Sequence, residues 1–407
     1  MNSTPRYRDN EEDPIEDQLE LSAHDMSTTH PQWYRSGPQR LWHGCLNYWP
    51  SSKSPMDRKR RRLLCRRVMI FIVVTTILGV ISALVYLALV SALLRRLNPP
   101  PGRSGLHHII DHWREPDDSG THIYEWRDDF SRDIVPKNCH SHNDYWRSVP
   151  LYNALAAGCI GIEADIWLAD DNELLVSHSW ASTTLHRTLR SLYLDPLANV
   201  LDKRNATAAS EDRKEVGVFD ADPTVSTILL IDFKNDEFKT WPVLLEQLRP
   251  FQDRDWLTYY DGSVLHQGPL TIVGTGSTPF ELVQQNSTNR IIFFDAPLLS
   301  ISDEQYNTTN SYYASVEMKK AIGSIWFNKL SAKQVDKLTE QIRAADAKGL
   351  KSRYWGEPRW PISLRDKVWF KLTELGVGML NVDDLVSATR WNWNWCIIAG
   401  LRLCGNS

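Results

Sequence analysis

The chain has 407 residues, of which 24% are charged, and its formal net charge is −4. A chain of this length holds one large domain or two ordinary ones. This charge balance does not favour a nucleic-acid partner, which selects for a basic surface, and the composition is that of a globular protein.

The N-terminal quarter combines a polar region with one long apolar segment. Residues 1–67 are polar, which predicts disorder, and they end in a basic run at 58–67. The next 27 residues, Val68–Leu94, carry no charge. Because about 20 apolar residues span a bilayer, we expect a transmembrane helix here. The basic residues before it predict a cytosolic N-terminus and hence a type II signal anchor.

Glycosylation sequons and cysteines agree with this topology. Three sequons follow the apolar segment, at Asn205, Asn286 and Asn307, in the compartment where glycosylation occurs. The predicted location of the folded domain is therefore the secretory lumen or the cell exterior, and a mitochondrial membrane is the alternative.

Four cysteines follow the apolar segment and form an even set, which suits an oxidising space; they are Cys139, Cys159, Cys396 and Cys404. Their pairing is open, although Cys396 with Cys404 would close a short loop. A zinc site is disfavoured because no Cys-x-x-Cys spacing is present.

Beyond a linker at 95–130, apolar strand patterns alternate with helical ones as far as residue 390. Predicted strands begin near residues 134, 160, 227, 269, 291, 322, 350 and 377. Glu173–Ser177 is predicted as a hairpin extension of the second strand, and helices are predicted at Trp241–Leu248, Ala332–Ala347 and Ser363–Leu375. Eight such units over about 250 residues favour a TIM (β/α)8 barrel at 131–390 over an open sheet.

Acidic side chains lie near the predicted carboxyl ends of neighbouring strands. Glu163 and Asp165 are two residues apart on a buried strand, so they project from one face and offer two oxygen ligands to a cation. Asp232 ends the third strand, and Lys234 lies two residues later on the same face. The alternative for Glu163 and Asp165 is a structural ion pair, since buried acids need compensation.

Two histidines flank the acidic strand. His142 follows the first predicted strand, and His178 ends the hairpin strand. Each alone is explained by a satisfied polar residue at a strand end. Together with the carboxylates they are typical of acid/base chemistry assisted by a hard metal. Because the active site of such a barrel lies at the C-terminal strand ends, His142, Asp165 and Asp232 are expected to meet there.

Three sequence features resemble one known superfamily. They are the run from His140 to Tyr145, HSHNDY, the fifteen-residue step from Glu163 to His178, and the strand-end Asp232-x-Lys234. These features resemble the PLC-like phosphodiesterases, which include glycerophosphodiester phosphodiesterases and spider-venom sphingomyelinase D. With the upstream apolar helix, the pattern is similar to the fungal altered inheritance of mitochondria protein 6 group. The resemblance covers residues 134–390.

The resemblance implies a barrel of the PLC-like phosphodiesterase type and a role for each candidate residue. His142 and His178 match the catalytic histidines, and Lys234 matches a lysine on the phosphate side. A divalent cation, Mg²⁺ or alternatively Ca²⁺, would be held by Glu163, Asp165 and Asp232.

The sequence departs from the family pattern at three places. His142-Asn-Asp replaces His-Arg-Gly, Pro150-Leu-Tyr-Asn replaces Pro-Glu-Asn-Thr, and Ser179 rather than Asp follows His178. These differences concern the substrate more than the chemistry. His140, on the same strand face as His142, is the alternative for the first histidine.

Together these patterns predict a membrane-anchored phosphoric diester hydrolase in lipid metabolism, acting on a lipid or glycerophosphodiester-type substrate. The cation and Lys234 would stabilise charge on the phosphate, and the histidines would move protons. The expected partners are the bilayer and a lipid or lipid-derived phosphodiester. The alternative is a catalytically silent barrel that serves as a membrane-tethered binding module. In the tail, 391–407, three tryptophans would rest at the membrane interface or cap the barrel; they are Trp391, Trp393 and Trp395.

Overall fold

The computed structural model describes residues 55–97, 104–118, 120–210, 217–390, 397–398 and 401–402. The chain divides into two compact units, Met1–Leu93 and Leu94–Ser407. Most of the polar region 1–67 lies outside the described residues, and so do Cys396, Cys404 and the three tail tryptophans.

The first unit contains most of one long helix, α1, Pro55–Leu97. Its segment Lys59–Ala92 is long and apolar enough to cross a membrane, and none of its most apolar window is buried. The hydroxyls of Thr75 and Thr76 donate to carbonyls one turn earlier, so this polar chemistry is satisfied within the helix, as an apolar medium requires. The segment Val68–Leu94 lies within α1, which is compatible with a membrane anchor.

The second unit contains the strands. In chain order they are β1 Lys137–Ser141, β2 Cys159–Leu168, β3 Leu174–Val176, β4 Thr227–Phe233, β5 Tyr259–Tyr260, β6 Leu265–His266, β7 Leu270–Gly276, β8 Ile292–Pro297, β9 Ser311–Glu317, β10 Lys351–Trp355, β11 Leu380–Val382, β12 Ile397–Ile398 and β13 Leu401–Arg402.

Helices alternate with these strands. The α-helices are α2 Gly105–His112, α3 Tyr152–Ala156, α4 Asp195–Ser210, α5 Glu237–Gln252, α6 Phe280–Gln285, α7 Met318–Ile322, α8 Ala332–Ala347, α9 Ile362–Glu374 and α10 Leu385–Arg390. Short 3₁₀ turns occur at Asp144–Trp146, Trp180–Ser182 and Leu298–Ser300, and a π-helical turn at Arg190–Leu194. The predicted helices correspond to α5, α8 and α9, and Ser331 and Gln334 form a capping box at the start of α8.

Eight parallel strands form a barrel, in the order β1, β2, β4, β7, β8, β9, β10, with β11 beside β1. A parallel bridge between Arg353 of β10 and Met379 joins the two edges, where the Met379 amide donates to the Ser352 carbonyl at 2.9 Å. The predicted TIM barrel is thus confirmed. The hairpin extension is confirmed as well, because β3 pairs antiparallel with β2, Trp167 opposite Leu175.

The predicted position of the sixth barrel strand is wrong. We expected it near residue 322, whereas this strand is β9, Ser311–Glu317, and the chain continues as helix α7. The side chain of Ser315 in β9 accepts a hydrogen bond from Arg353, so polar positions interrupt the apolar pattern of this strand. Ile322 is buried by a helical turn instead. The other predicted starts lie within three residues of the observed ones.

The barrel core is built from the central strands and the helices around them. β4 reads Thr-Ile-Leu-Leu-Ile-Asp-Phe, and its residues are buried apart from the half-buried Asp232, as expected for a parallel strand covered on both faces. Cys139 and Cys159 form a disulfide between the neighbouring strands β1 and β2, and both are fully buried. This is one of the pairings that the sequence analysis left open.

Candidate functional site

The candidate residues lie together at the C-terminal ends of adjacent strands. His142 directly follows β1, His178 lies two residues beyond β3, and Lys234 directly follows β4. Asp165 of β2 lies opposite Asp232 of β4 in the parallel register. Because β1, β2 and β4 are neighbours in the barrel, all six predicted side chains, including Glu163, lie at its C-terminal end.

Three carboxylates converge there. Glu163, Asp165 and Asp232 each offer one oxygen, and these atoms lie within 4.8 Å of one another. Within the described residues the buried Asp165 Oδ1 has no hydrogen-bond partner. A buried carboxylate oxygen without a partner is destabilising, whereas three carboxylates are the ligand type that Mg²⁺ and Ca²⁺ prefer. The donor set therefore fits a hard divalent cation.

Two glycines make room for this cluster. Gly276 has φ +65°, and a Cβ there would lie 1.9 Å from Asp232 Oδ1. Gly161 of β2 faces His140, and its Cβ would lie 2.5 Å from His140 Nδ1. Real Cβ atoms do not approach so closely, so both positions require glycine for the acids and histidines to occupy their places.

Lys234 bridges two of the acids. Its Nζ lies 3.0 Å from Asp165 Oδ2 and 2.8 Å from Asp232 Oδ2. Burial alone would lower the pKa of Lys234, but Asp232 and Asp165 outweigh it and raise that pKa. Burial, together with the charge of Asp165, raises the pKa of Asp232 to about 7 despite the lysine. The cluster therefore combines the permanently charged ammonium of Lys234 with a carboxyl group, that of Asp232, which exchanges a proton near neutral pH.

His142 is held by an acid that directly follows the last barrel strand. Its Nδ1 donates to Asp383 Oδ1 at 2.7 Å, and its Nε2 lies 4.0 Å from Glu163 Oε2. Burial would lower the pKa of His142, but Glu163 and Asp383 together raise it. Arg359 Nε donates to the other oxygen of Asp383 at 2.8 Å, and Arg147 donates to its carbonyl.

His178 lies on the opposite side of the cluster. Its Nδ1 is 3.5 Å from Asp165 Oδ2 and 3.3 Å from the Tyr145 hydroxyl, which donates to the same Asp165 oxygen at 2.7 Å. The ring centroid of Trp146 is 5.0 Å from that of His178. The His178 side chain is 39% exposed, so it reaches the mouth of the site.

His140, the alternative first histidine, lies inside the barrel. It is fully buried, and its Nε2 lies 3.3 Å from Glu163 Oε2. Burial lowers the pKa of His140 to about 4, which keeps the ring neutral. The His142 side chain is 15% exposed, so it has the solvent access that His140 lacks.

Arg353 forms ion pairs with two acids of the barrel whose side chains are buried, Glu163 and Asp295. It is buried, its Nη1 lies 3.8 Å from Glu163 Oε2, and its Nη2 lies 3.3 Å from Asp295 Oδ2. Burial would raise the pKa of Glu163, but His142, His140 and Arg353 hold it well below its ordinary range. Glu163 is thus kept ionised.

Three residues that orient the six predicted side chains were not predicted from the sequence: Tyr145, Arg353 and Asp383. Tyr145 was available in the HSHNDY run, and Asp383 follows the last predicted strand in Asn381-Val-Asp383. Arg353 lies within the seventh predicted strand, where an isolated arginine is a signal for a buried ion pair.

Comparisons of sequence identify relatives over the barrel region. A family model described as the AIM6-like phosphodiesterase domain matches residues 128–295. The altered inheritance of mitochondria protein 6 homolog of Arthroderma benhamiae is 39% identical over 277 residues, which cover 65% of this chain and 87% of that protein. The Saccharomyces cerevisiae altered inheritance of mitochondria protein 6 is 34% identical, over 64% of this chain and 72% of its own length.

Solved structures with detectable similarity include two phosphodiesterases. A Thermotoga maritima glycerophosphodiester phosphodiesterase has 15% identity and a TM-score of 0.32, covering 65% of this chain and 97% of its own. A glycerophosphoryl diester phosphodiesterase from Parabacteroides distasonis has 11% identity and a TM-score of 0.35, covering 65% and 87%. The barrel assignment for this chain rests on its own strand order and register.

Proposed function

The chain belongs to the altered inheritance of mitochondria protein 6 family, and we propose that its barrel domain hydrolyses phosphodiesters. One observation carries the proposal: Glu163, Asp165 and Asp232 each offer one oxygen, and these three oxygens lie within 4.8 Å of one another. Lys234 contacts Asp232, His142 lies near Glu163, and His178 lies near Asp165. A phosphodiester is an anion that gains charge in its transition state, so it needs cations and proton donors at one place.

Glu163, Asp165 and Asp232 would hold the divalent cation. Mg²⁺ is the first choice for this cation, and Ca²⁺ is the alternative. When bound, such a cation neutralises charge on the phosphoryl oxygens. The ammonium of Lys234, beside two of these carboxylates, would bind a phosphoryl oxygen at the same place. Arg353 keeps Glu163 ionised, and Tyr145 fixes the orientation of Asp165.

The two histidines divide the proton transfers. Asp383 holds the proton of His142 Nδ1, and the raised pKa of His142 suits it to carry a second proton on Nε2. His178 accepts a proton from the attacking oxygen, water or a substrate hydroxyl, as the new P–O bond forms. His142 donates its proton to the leaving oxygen as the old P–O bond breaks.

We propose a lipid or lipid-derived phosphodiester as the substrate and a type II membrane topology. The apolar helix α1 supports the anchor, and a disulfide between Cys139 and Cys159 is typical of a compartment outside the cytosol. A binding module without turnover would not need two histidines, a lysine and three carboxylates together, and the barrel brings all six to one place.

The test is an assay of the full-length protein in detergent on glycerophosphodiesters and lysophospholipids. Turnover is expected with Mg²⁺, should disappear with EDTA, and should return with excess cation. As controls, His142→Ala and His178→Ala should each lower kcat by about 10²–10⁴-fold while retaining the far-UV spectrum. A folded wild-type protein without turnover on the whole panel, with either cation, would leave the binding module as the function.

A further inference from the structure

Large exposed aromatic side chains follow the strands whose C-terminal ends form the proposed site. Among the described residues of the barrel domain, seven tryptophans and phenylalanines are exposed, and six follow strands on the catalytic face. These six form the aromatic rim: Trp146, Trp180, Phe238, Trp326, Phe327 and Trp360. Exposed apolar side chains concentrated on one face mark an interaction surface.

The rim borders the site on both sides. Trp146 lies against the ring of His178, with centroids 5.0 Å apart. Trp360 follows Arg359, whose Nε donates to Asp383, the acid that holds His142. A partner that covers the rim therefore also covers the entrance used by the substrate.

Phe327 is held outward by a strained backbone. It is 92% exposed, and both Phe327 and Asn328 have φ +55°. Bulky residues avoid this left-handed region, so the conformation persists only where neighbours impose it. Asn328 is bound by Lys367, which donates to its carbonyl at 3.1 Å, and by Ser363 at 3.1 Å. The loop thus presents a phenylalanine to its surroundings in a defined position.

Lysines lie beside Trp326 and Phe327. A groove of about 490 Å³ is lined by Trp326, Phe327, Lys329, Lys333 and Lys337, among others. All three lysines are exposed, and no carboxylate of the described chain forms an ion pair with any of them. Lysine is depleted at protein–protein interfaces, whereas lysines next to tryptophan and phenylalanine are typical of surfaces that bind anionic lipid.

We propose that this face binds an anionic phospholipid surface. Trp326, Phe327 and Trp360 insert among the headgroups, and Lys329 and Lys333 bind their phosphates. The inference rests on the proposed function, because the rim surrounds the site that takes the phosphodiester. A membrane anchor in the same chain would keep every copy of the barrel next to a bilayer.

Hydrogen exchange of the full-length protein in nanodiscs tests the proposal. Discs of phosphatidylcholine are compared with discs that also contain phosphatidylserine, at one protein copy per disc. Exchange in residues 323–331 and 356–362 should be about tenfold slower with phosphatidylserine. The triple variant Lys329→Glu, Lys333→Glu, Lys337→Glu should lose this difference. The control, Val264→Ser with Leu265→Ser, changes exposed apolar residues before β7 and should keep it.

Equal exchange on both kinds of disc would overturn the proposal. Protection that appears only with two copies per disc would also overturn it, because it would assign the rim to a contact between copies. The readout requires no turnover. A protein that hydrolyses soluble glycerophosphodiesters without lipid protection refutes only the docking surface, and a protected but inactive protein refutes only the proposed function.

Discussion

Asp383 controls the charge of His142 through the 2.7 Å hydrogen bond to Nδ1. Since Asp383 is one of the two acids that raise the pKa of His142, Asp383→Asn should lower that pKa. We expect kcat to fall by about 10²-fold or more, with its alkaline limb moved to lower pH. Asp384→Asn is the matched control, because Asp384 binds Arg365 instead. Wild-type kcat in Asp383→Asn would contradict the role of Asp383.

Gly276 is a second single residue on which the site depends, because it leaves room for the Asp232 carboxylate. A methyl group there meets Asp232 Oδ1 at 1.9 Å, so Gly276→Ala should displace a metal ligand and abolish Mg²⁺ binding in calorimetry. Gly323 has a similar positive φ, +75°, but a Cβ on Gly323 would have no atom within 4 Å. Gly323→Ala should therefore lose only about 1–2 kcal/mol of stability and keep its metal affinity. Equal metal affinity in both variants would remove Asp232 from the ligand set.

The raised pKa of Asp232 predicts a pH-dependent metal affinity. Without a cation its pKa is about 7, so the carboxyl is protonated below that pH and ionised above it. Proton and cation compete for the same oxygen, so Mg²⁺ affinity should fall by up to about tenfold per pH unit below 7 and level off above it. Titration calorimetry across this range checks the sign. A constant affinity would show that Asp232 is already ionised in the free protein.

At the scale of elements, Arg353 joins four strands through side-chain contacts. It binds Asp295 of β8, Ser315 of β9, Asn381 of β11 and, at 3.8 Å, Glu163 of β2. Arg353→Met should reduce the free energy of unfolding by about 3–5 kcal/mol, because it leaves buried acids without a cation.

Urea denaturation of the purified protein measures this loss. The exposed pair Arg249 and Glu246 offers a control, and Arg249→Met should leave the transition midpoint unchanged. Adding Asp295→Asn to Arg353→Met should recover part of the loss, since one uncompensated charge is then removed. A midpoint unaffected by Arg353→Met would mean that water or another cation satisfies these acids.

Local pattern was sufficient to predict most of the barrel and the grouping of six candidate side chains at its C-terminal end. Period-two spacing placed Glu163 and Asp165 on one face, and parallel strands bring their carboxyl ends together whatever the loops do. The position of β9 was not predicted because the side chains that it points into the barrel are polar. Asp383 was not predicted because its partner His142 lies 241 positions away in sequence. Arg353 was not predicted because its partners lie on four other strands, and no local period encodes such pairings. The cysteine pairing was open for a different reason: Cys139 and Cys159 are only 20 residues apart, but four cysteines allow three pairings and sequence alone does not choose among them.

At the scale of the whole molecule, topology is testable through the sequons. Asn205 and Asn286 are exposed, whereas Asn307 is partly buried and its Oδ1 accepts hydrogen bonds from both the amide and the hydroxyl of Thr309. In the secretory lumen we expect glycans on Asn205 and Asn286, and peptide N-glycosidase should increase gel mobility. Asn205→Gln with Asn286→Gln should remove most of that shift. A wild-type protein without any shift would favour the mitochondrial membrane.

The pairing of β1 with β11 has a consequence for synthesis. His142 and Asp383 are 241 positions apart, and the barrel edge between them closes only when β11 is in place. All six predicted site residues are translated long before that point, but a chain that ends near Lys234 lacks both Asp383, which holds His142, and β11, which pairs with β1. A nascent chain of this kind is exposed to chaperones, and a premature stop after β9 would release a protein with every predicted catalytic side chain and no working site.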